Sequence, residues 1–136
     1  MDQATVFSRS RVVAFAQPVA RDKIAEDLKN FLGNIGERLA VDKIILGHIK
    51  MAACFSDAED FIFFSMTNTE RIDVKFSPRW HSFAGDIEKA ALDINVLIFG
   101  PSPQKVSLAV DSAWRRFRQK PGGAFLKGRK HIMRGV

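Results

Sequence analysis

Apolar residues recur at helical spacing in two stretches of the chain, and each stretch predicts an amphipathic helix. The first helix begins near Pro18, because the first turn of a helix tolerates the missing N–H of proline. The second helix begins with Ser102 as its N-cap and Pro103 at its first position, and Pro121 ends it. The predicted apolar faces are Ile24, Leu28, Phe31, Ile35 and Leu39 in the first helix, and Val106, Val110, Ala113 and Phe117 in the second.

Between these helices the pattern changes to that of strands. The segments "KIILGHIKMAACF", "DFIFFSMT" and "RIDVKF" are rich in β-branched and aromatic residues and are separated by short polar turns. "DINVLIFG" is a fourth candidate strand, and "GDIEKAALDI", which overlaps its start, has the composition of a short helix. Residues 5–16 fit a strand or a helix, and we favour a strand. The pattern predicts an α+β fold: an antiparallel sheet of about four strands with helices packed on one face and a C-terminal helix, in an order compatible with a split βαβ, or ferredoxin-like, arrangement.

Alternation of side chains between the two faces of a sheet also predicts the register of the hairpins. If Phe55 faces Asp60, then Met51 faces Phe64. If residues 68–70 form the next loop, Phe64 faces Val74. Both assumptions collect one apolar set on one face, whereas a slip of one residue mixes the sets. The set is Ile45, Gly47, Ile49, Met51, Ala53, Ile62, Phe64, Met66, Ile72, Val74 and Phe76.

The other face of this meander is divided into a polar end and an apolar end. The polar end is His48, Lys50, Ser65, Thr67, Arg71, Asp73 and Lys75, and the apolar end is Ile44, Leu46, Ala52, Cys54, Phe61 and Phe63. Polar side chains are expected on a solvated sheet face, but an apolar patch needs a cover. The sequence leaves four covers open: another part of the chain, a second subunit, nucleic acid or a small ligand.

Charge is segregated along the chain. The net charge is +6, but residues 1–111 hold 13 basic and 15 acidic residues, while residues 112–136 hold eight basic residues and no acid. This predicts one domain over residues 1–120 and a basic, flexible C-terminal arm over residues 121–136. Clustered cations favour nucleic-acid phosphate, although a solubilising terminus has the same composition, and a helix dipole also favours cations in a last helical turn. The candidate cations are Arg115, Arg116, Arg118, Lys120, Lys127, Arg129, Lys130 and Arg134.

Phe61 and Phe63, two residues apart on a strand, are candidate platforms on which bases stack. Alternating aromatic residues of this kind are similar to those on the third strand of an RNA-recognition motif. The segment "EDFIFFSM" departs from that signature, because it has an acidic start and no glycines. We therefore predict a small non-enzymatic binding protein for RNA or single-stranded DNA, which uses these phenylalanines and the basic arm.

The alternative is a homo-oligomer that packs through the open sheet face, with a small-ligand or partner site near His48 and Lys50. Ser65 and Asp73 are the other candidate residues of that site. No nucleophile, base and orienting group come together in the predicted register, so we do not expect an enzyme.

No cofactor or metal motif is present, and the single cysteine, Cys54, forms no internal disulfide. Without a secretory segment or an apolar span, we expect a cytoplasmic protein that does not cross a membrane.

Overall fold

A computed structural model describes residues 3–55, 59–82 and 85–118, and the backbone of residues 125–131. The elements are β1 (Ala4–Val19), α1 (Arg21–Leu39), β2 (Ile44–Cys54), β3 (Phe61–Asn68), β4 (Arg71–Phe76), a 3₁₀ turn (Trp80–Ser82), β5 (Ile87–Phe99), α2 (Pro103–Arg118) and β6 (Phe125–His131). The α+β class and both helices are confirmed, but the expected helix start near Pro18 is wrong, because Pro18 belongs to β1 and α1 begins at Arg21. The N-terminal segment is a strand, as favoured from the sequence.

The strands form one sheet in the order β4-β3-β2-β5-β1-β6, and every neighbouring pair is antiparallel. β1 and β2 therefore run in the same direction with β5 between them. The described chain has six strands where the sequence predicts about four. The prediction of a short helix before β5 is wrong. Residues 87–90 pair with β1 and extend β5 instead.

The predicted register of both hairpins is confirmed. Met51 pairs with Phe64, and Phe64 pairs with Val74. The loop between β3 and β4 is one residue shorter than predicted, because Asn68 pairs with Arg71 and leaves a two-residue turn. The Asn68 side chain accepts a hydrogen bond from the backbone N–H of Glu70 and so stabilises this turn.

Both helices pack on the same side of the sheet. α1 lies over β2 and β3, α2 lies over β1, and the two helices contact each other. Phe31 of α1 meets Trp114 and Phe117 of α2, with ring centroids 6.0 and 5.6 Å apart, and this cluster joins the helices. The predicted apolar faces of the helices are all buried. No helix in the described residues is long and apolar enough to cross a membrane.

The segment predicted as a basic arm lies only in part within the described residues. The backbone of residues 125–131 pairs with β1 as the edge strand β6, with Ser10 opposite His131 and Ala14 opposite Lys127. Residues 121–124 and 132–136 lie outside the described residues, as do Lys120 and Arg134. The division into a domain over 1–120 and a flexible arm stays a prediction.

Candidate functional site

The sheet has one face that no described element covers, called here the open face. Its positions alternate along each strand with those that face the helices. The open face comprises Val6, Ser8, Ser10 and Val12 of β1; Leu46, His48, Lys50, Ala52 and Cys54 of β2; Phe61, Phe63 and Ser65 of β3; Asp73 and Lys75 of β4; and Ala91, Asp93, Asn95, Leu97 and Phe99 of β5.

Phe61 and Phe63 form an aromatic pair near one end of this face. Their rings are stacked, with centroids 4.4 Å apart and planes 20° from parallel. Small residues lie opposite them on β2, with Cys54 opposite Phe61 and Ala52 opposite Phe63. Phe63 is 43% exposed, a large value for a phenylalanine on a sheet. The pair is therefore an apolar surface on which a further planar group can stack.

Two lysines flank Phe63 on the neighbouring strands. Lys75 lies directly opposite Phe63 on β4, and Lys50 lies opposite Ser65 on β2. Both lysines are exposed, and in the described part of the chain neither has an acidic side chain within ion-pair distance. The nearby Asp73 is bound to Arg71 at 3.2 Å. Positive charge next to Phe63 is therefore available to an anionic ligand.

A shallow cavity of about 450 Å³ lies over this part of the open face. Its side-chain lining includes Lys50, Phe63, Ser65, Asp73, Lys75 and Asn95. Three of the four residues predicted for a small-ligand site thus come together. The fourth, His48, does not line the cavity; it pairs with Leu97, and its Nδ1 is buried without a hydrogen-bond partner among the described residues.

The cavity offers an aromatic ring, two ammonium groups, a hydroxyl, an amide and a carboxylate, a set suited to a planar ligand that carries negative charge. The described residues contain no group of three or more His, Cys, Asp or Glu side chains that could hold a metal ion. Ser65 lies between Lys50 on β2 and Asp73 on β4, but among the described residues no hydrogen bond joins the three side chains.

Asp93 lies on β5 in the middle of the open face and accepts a hydrogen bond from the Ser10 hydroxyl on β1. Burial raises the pKa of the nearby Cys54 thiol, and the negative charge of Asp93 raises it further. Cys54 is therefore a protonated, weakly reactive thiol at neutral pH.

The arginines of α2 lie on the other side of the sheet from Phe61 and Phe63. Arg115, Arg116 and Arg118 are exposed on the helix layer, so the structure does not combine them with the phenylalanines in one site. Arg116 donates a hydrogen bond to the Asn34 side chain at 3.2 Å, where a second cavity of about 670 Å³ lies against α1. The backbone of Lys127, Arg129 and Lys130 belongs to β6, at the sheet edge.

The sequence did not indicate that two further arginines, Arg9 and Arg11, contact α2. In "SRSR", residues 8–11, the alternation separates the serines from the arginines, but it does not say which pair faces the helices. In the structure Arg9 and Arg11 face α2, and the serines lie on the open face. The acid at Asp111, one helical turn before Arg115, was the available signal for this orientation, because Asp111 is the ion-pair partner of Arg9.

Comparison with known proteins gives little. No family model matches the chain, and no curated protein matches it. The chain is similar to the zinc-bound triple mutant of the YjiA GTPase in its crystal structure, with 10% sequence identity and a TM-score of 0.34. The similarity covers 82% of this chain and 29% of that chain.

Proposed function

We propose that this chain is a non-enzymatic protein that binds single-stranded nucleic acid, RNA or DNA, on its open face. The observation that carries the proposal is the stacked pair Phe61 and Phe63, with Phe63 exposed, beside Lys50 and Lys75, which have no acidic partner among the described residues. Aromatic platforms with adjacent cations bind single strands with little sequence preference, because every base has a π face and every nucleotide a phosphate.

We infer further that the fold is ferredoxin-like, with two split βαβ units and an added hairpin. The units are β1-α1-β2 and β5-α2-β6, and the hairpin is β3-β4. The neighbour order β6-β1-β5-β2 supports this inference. The proposed site differs from that of an RNA-recognition motif, because Ser8, Ser10, Asp93 and Asn95 occupy the middle of β1 and β5, and the aromatic pair lies on the added hairpin.

In this proposal a base stacks on Phe63, and the phosphates on either side contact Lys50 and Lys75. Stacking of one base on an aromatic side chain contributes about 1–3 kcal/mol. Two phosphate contacts give a salt dependence with a slope of about −1.4 on a single strand, at roughly −0.7 for each contact.

The test is a fluorescence-anisotropy titration of a labelled single-stranded 12-mer, RNA and DNA, at about 50 and 200 mM salt. Phe63→Ala is expected to weaken binding about 5- to 150-fold, the equivalent of the stacking energy. Lys50→Gln is expected to flatten the salt slope by about 0.7. The matched controls are Leu108→Ala and Lys105→Gln, which remove an exposed apolar side chain and an exposed cation on α2.

A wild-type protein that does not bind at low salt would refute the proposal, and so would equal losses in the open-face variants and in the α2 controls. The contribution of the basic C-terminal segment is tested separately in the full-length chain. β6 pairs Lys127 with Ala14 and Arg129 with Val12, both on the open-face side of β1. The double variant Lys127→Gln, Arg129→Gln is expected to flatten the salt slope if these cations contact phosphate.

A second function, self-association through the open face, is favoured by a separate observation. The sequence predicts Leu46 at the same end of the face as Phe63, but this is wrong, because Phe63 pairs with Ala52, six positions further along β2. At the end that does carry Leu46, Val6 is 74%, Leu46 48% and Phe99 45% exposed. Two copies of this apolar surface can cover each other about a two-fold axis. Sedimentation velocity over a hundredfold concentration range tests this: a dimer that dissociates in Val6→Glu supports it, and a monomer at every concentration contradicts it.

A further inference from the structure

A cluster of arginines lies on the helix side of the sheet, where α2 crosses β1. Arg9 forms an ion pair with Asp111 of α2 and donates a second hydrogen bond to the Ser107 hydroxyl at 3.2 Å. Arg11 lies next along the same side of β1, and its guanidinium carbon is 4.8 Å from the centroid of the Trp114 ring. These contacts fix two cations of β1 against the helix.

The last turns of α2 add two more guanidinium groups to the same side. Residues four and seven positions after Asp111 lie on the same helix face as Asp111, and these are Arg115 and Arg118. Asp111 contacts Arg9 of β1, and the charge of Arg118 acts on Arg11, the next residue on that side of β1. The face of α2 that carries Asp111 therefore follows β1 towards its C-terminal end. Among the described residues, the charges that act on Arg11 are those of Arg9, Arg118 and one carboxylate, Asp111, which is already bound to Arg9.

Arg11 carries the excess charge of this cluster. Within the described residues its guanidinium contacts the Trp114 ring but has no hydrogen-bond acceptor. Burial lowers the pKa of Arg11, the positive charge of Arg9 lowers it further, Arg118 adds to this lowering, and Asp111 opposes it. The helix dipole accounts for arginines in the last turn of α2, but not for an arginine placed beside them on a strand. Such crowding of like charges is a cost that a bound anion removes.

We propose that Arg11, Arg115 and Arg118 form a binding site for a phosphate group. Guanidinium groups bind phosphate oxygens with paired, charge-assisted hydrogen bonds, and stacking on the indole of Trp114 holds Arg11 in one orientation before the ligand arrives. Trp114 is only 5% exposed, so this surface offers no platform for a base and recognises the phosphate alone. The backbone of β6 lies alongside, with Lys130 in register opposite Arg11.

This site is separate from the one proposed for bases, because the sheet lies between them. The phosphate belongs either to a small phosphoester or to the backbone of a nucleic acid. The chemistry is the same in both cases, and the experiment below distinguishes the two sources. Phosphate binding at this site does not depend on Phe63.

The experiment is calorimetric titration of the full-length protein with inorganic pyrophosphate, at constant ionic strength. Arg118→Gln and Arg11→Gln are each expected to weaken binding about tenfold or more, the usual effect of removing one charge-assisted hydrogen-bond donor group. Arg11→Lys keeps the charge and loses the planar donors. Its affinity for pyrophosphate is expected to lie between those of the wild type and Arg11→Gln. The matched control is Arg116→Gln, which removes the same charge from the same turn but on the side that contacts Asn34. This control is expected to bind within about twofold of wild type.

Equal weakening by Arg116→Gln and Arg118→Gln overturns the proposal, because it makes the effect one of general charge. Absence of pyrophosphate binding by the wild type also overturns it. Thermal unfolding of each variant in phosphate-free buffer separates misfolding from lost binding. Phe63→Ala is expected to leave pyrophosphate binding unchanged. The phosphate-site proposal and the nucleic-acid proposal for the open face can therefore be refuted separately.

A second titration uses a single-stranded 12-mer without a terminal phosphate. If Arg118→Gln weakens both ligands, the site takes backbone phosphate. If it weakens pyrophosphate alone, the site takes a small phosphoester. Both results support the site.

Discussion

Gly47 is a position at which the packing of the sheet allows no side chain. It lies in β2 opposite Ile98 of β5, with a φ of 144°, a conformation that side chains other than glycine rarely adopt. A Cβ atom added there would lie 1.9 Å from the backbone oxygen of Leu97. No rotamer change relieves this contact, because the oxygen belongs to the neighbouring strand. Gly47→Ala therefore has to push β2 and β5 apart in the middle of the sheet.

The expected loss has two parts. Strain at a positive φ costs about 1–3 kcal/mol for a residue with a side chain. Separation of the two strands by about 1 Å weakens the ladder at Gly47, and each buried backbone group left without a partner costs about 1–3 kcal/mol. The sum is roughly 2–6 kcal/mol, a large part of the 5–15 kcal/mol typical of a whole domain. For a chain of this size that corresponds to a fall in Tm of about 7–20 °C.

The assay is urea and thermal unfolding of Gly47→Ala, followed by the fluorescence of Trp80 and Trp114. The matched control is Gly100→Ala, since Gly100 also has a positive φ, 109°, but nothing within 4 Å of an added Cβ. The control carries the strain without the clash and is expected to lose about 1–3 kcal/mol. If the two variants lose the same stability, β5 does not lie against Gly47 and the register described here between β2 and β5 is wrong.

Three further predictions concern stability. Gly33→Ala in α1 is expected to stabilise the protein by about 0.5–1 kcal/mol in urea unfolding, because an added Cβ makes only an ordinary 3.7 Å contact. Asp60→Ala removes the bidentate partner of Arg21, with N–O distances of 3.1 and 2.8 Å, and is expected to cost about 3 kcal/mol, whereas Glu70→Ala at an exposed pair costs under about 1. Because burial raises the pKa of Cys54, the folded state holds the thiol proton more tightly than the unfolded state, so stability is expected to fall as pH rises above about 8.5, and to fall less in Cys54→Ala.

The meander was predictable from the sequence because its constraints are local. Turn lengths and the alternation of apolar residues both depend on neighbours within about 30 positions, and they agreed on the pairing of Met51 with Phe64 and of Phe64 with Val74. The face that carries Phe61 and Phe63 follows from the same register. The prediction of Lys50, Ser65 and Asp73 as neighbours succeeded for that reason.

What the sequence did not predict depends on contacts between distant segments. Residues 87–90 are mostly good helix formers, but pairing with β1, 68 to 77 positions earlier, makes them a strand. The basic composition of residues 125–131 resembles a solvated tail, yet their backbone completes the edge of the sheet beside β1. The inward orientation of Arg9 and Arg11 depends on Asp111 and Trp114, and no local pattern in "SRSR" contains that information.

A nucleic acid that contacts both proposed surfaces must have a minimum length. Phe63 and Arg118 lie on opposite sides of the sheet, so a strand has to cross from β3 to β6, four strand spacings or roughly 19 Å, and then pass round the β6 edge. An oligonucleotide too short to span this path occupies one surface at a time, so its affinity gains nothing from the presence of the other surface.

Beyond the length that spans the edge, the second contact becomes intramolecular and the affinity rises steeply. In that range each substitution alone is expected to cost more than it does with any short strand. A length series that rises smoothly, with independent effects at every length, would instead mean that the aromatic pair and the arginine cluster serve two different ligands.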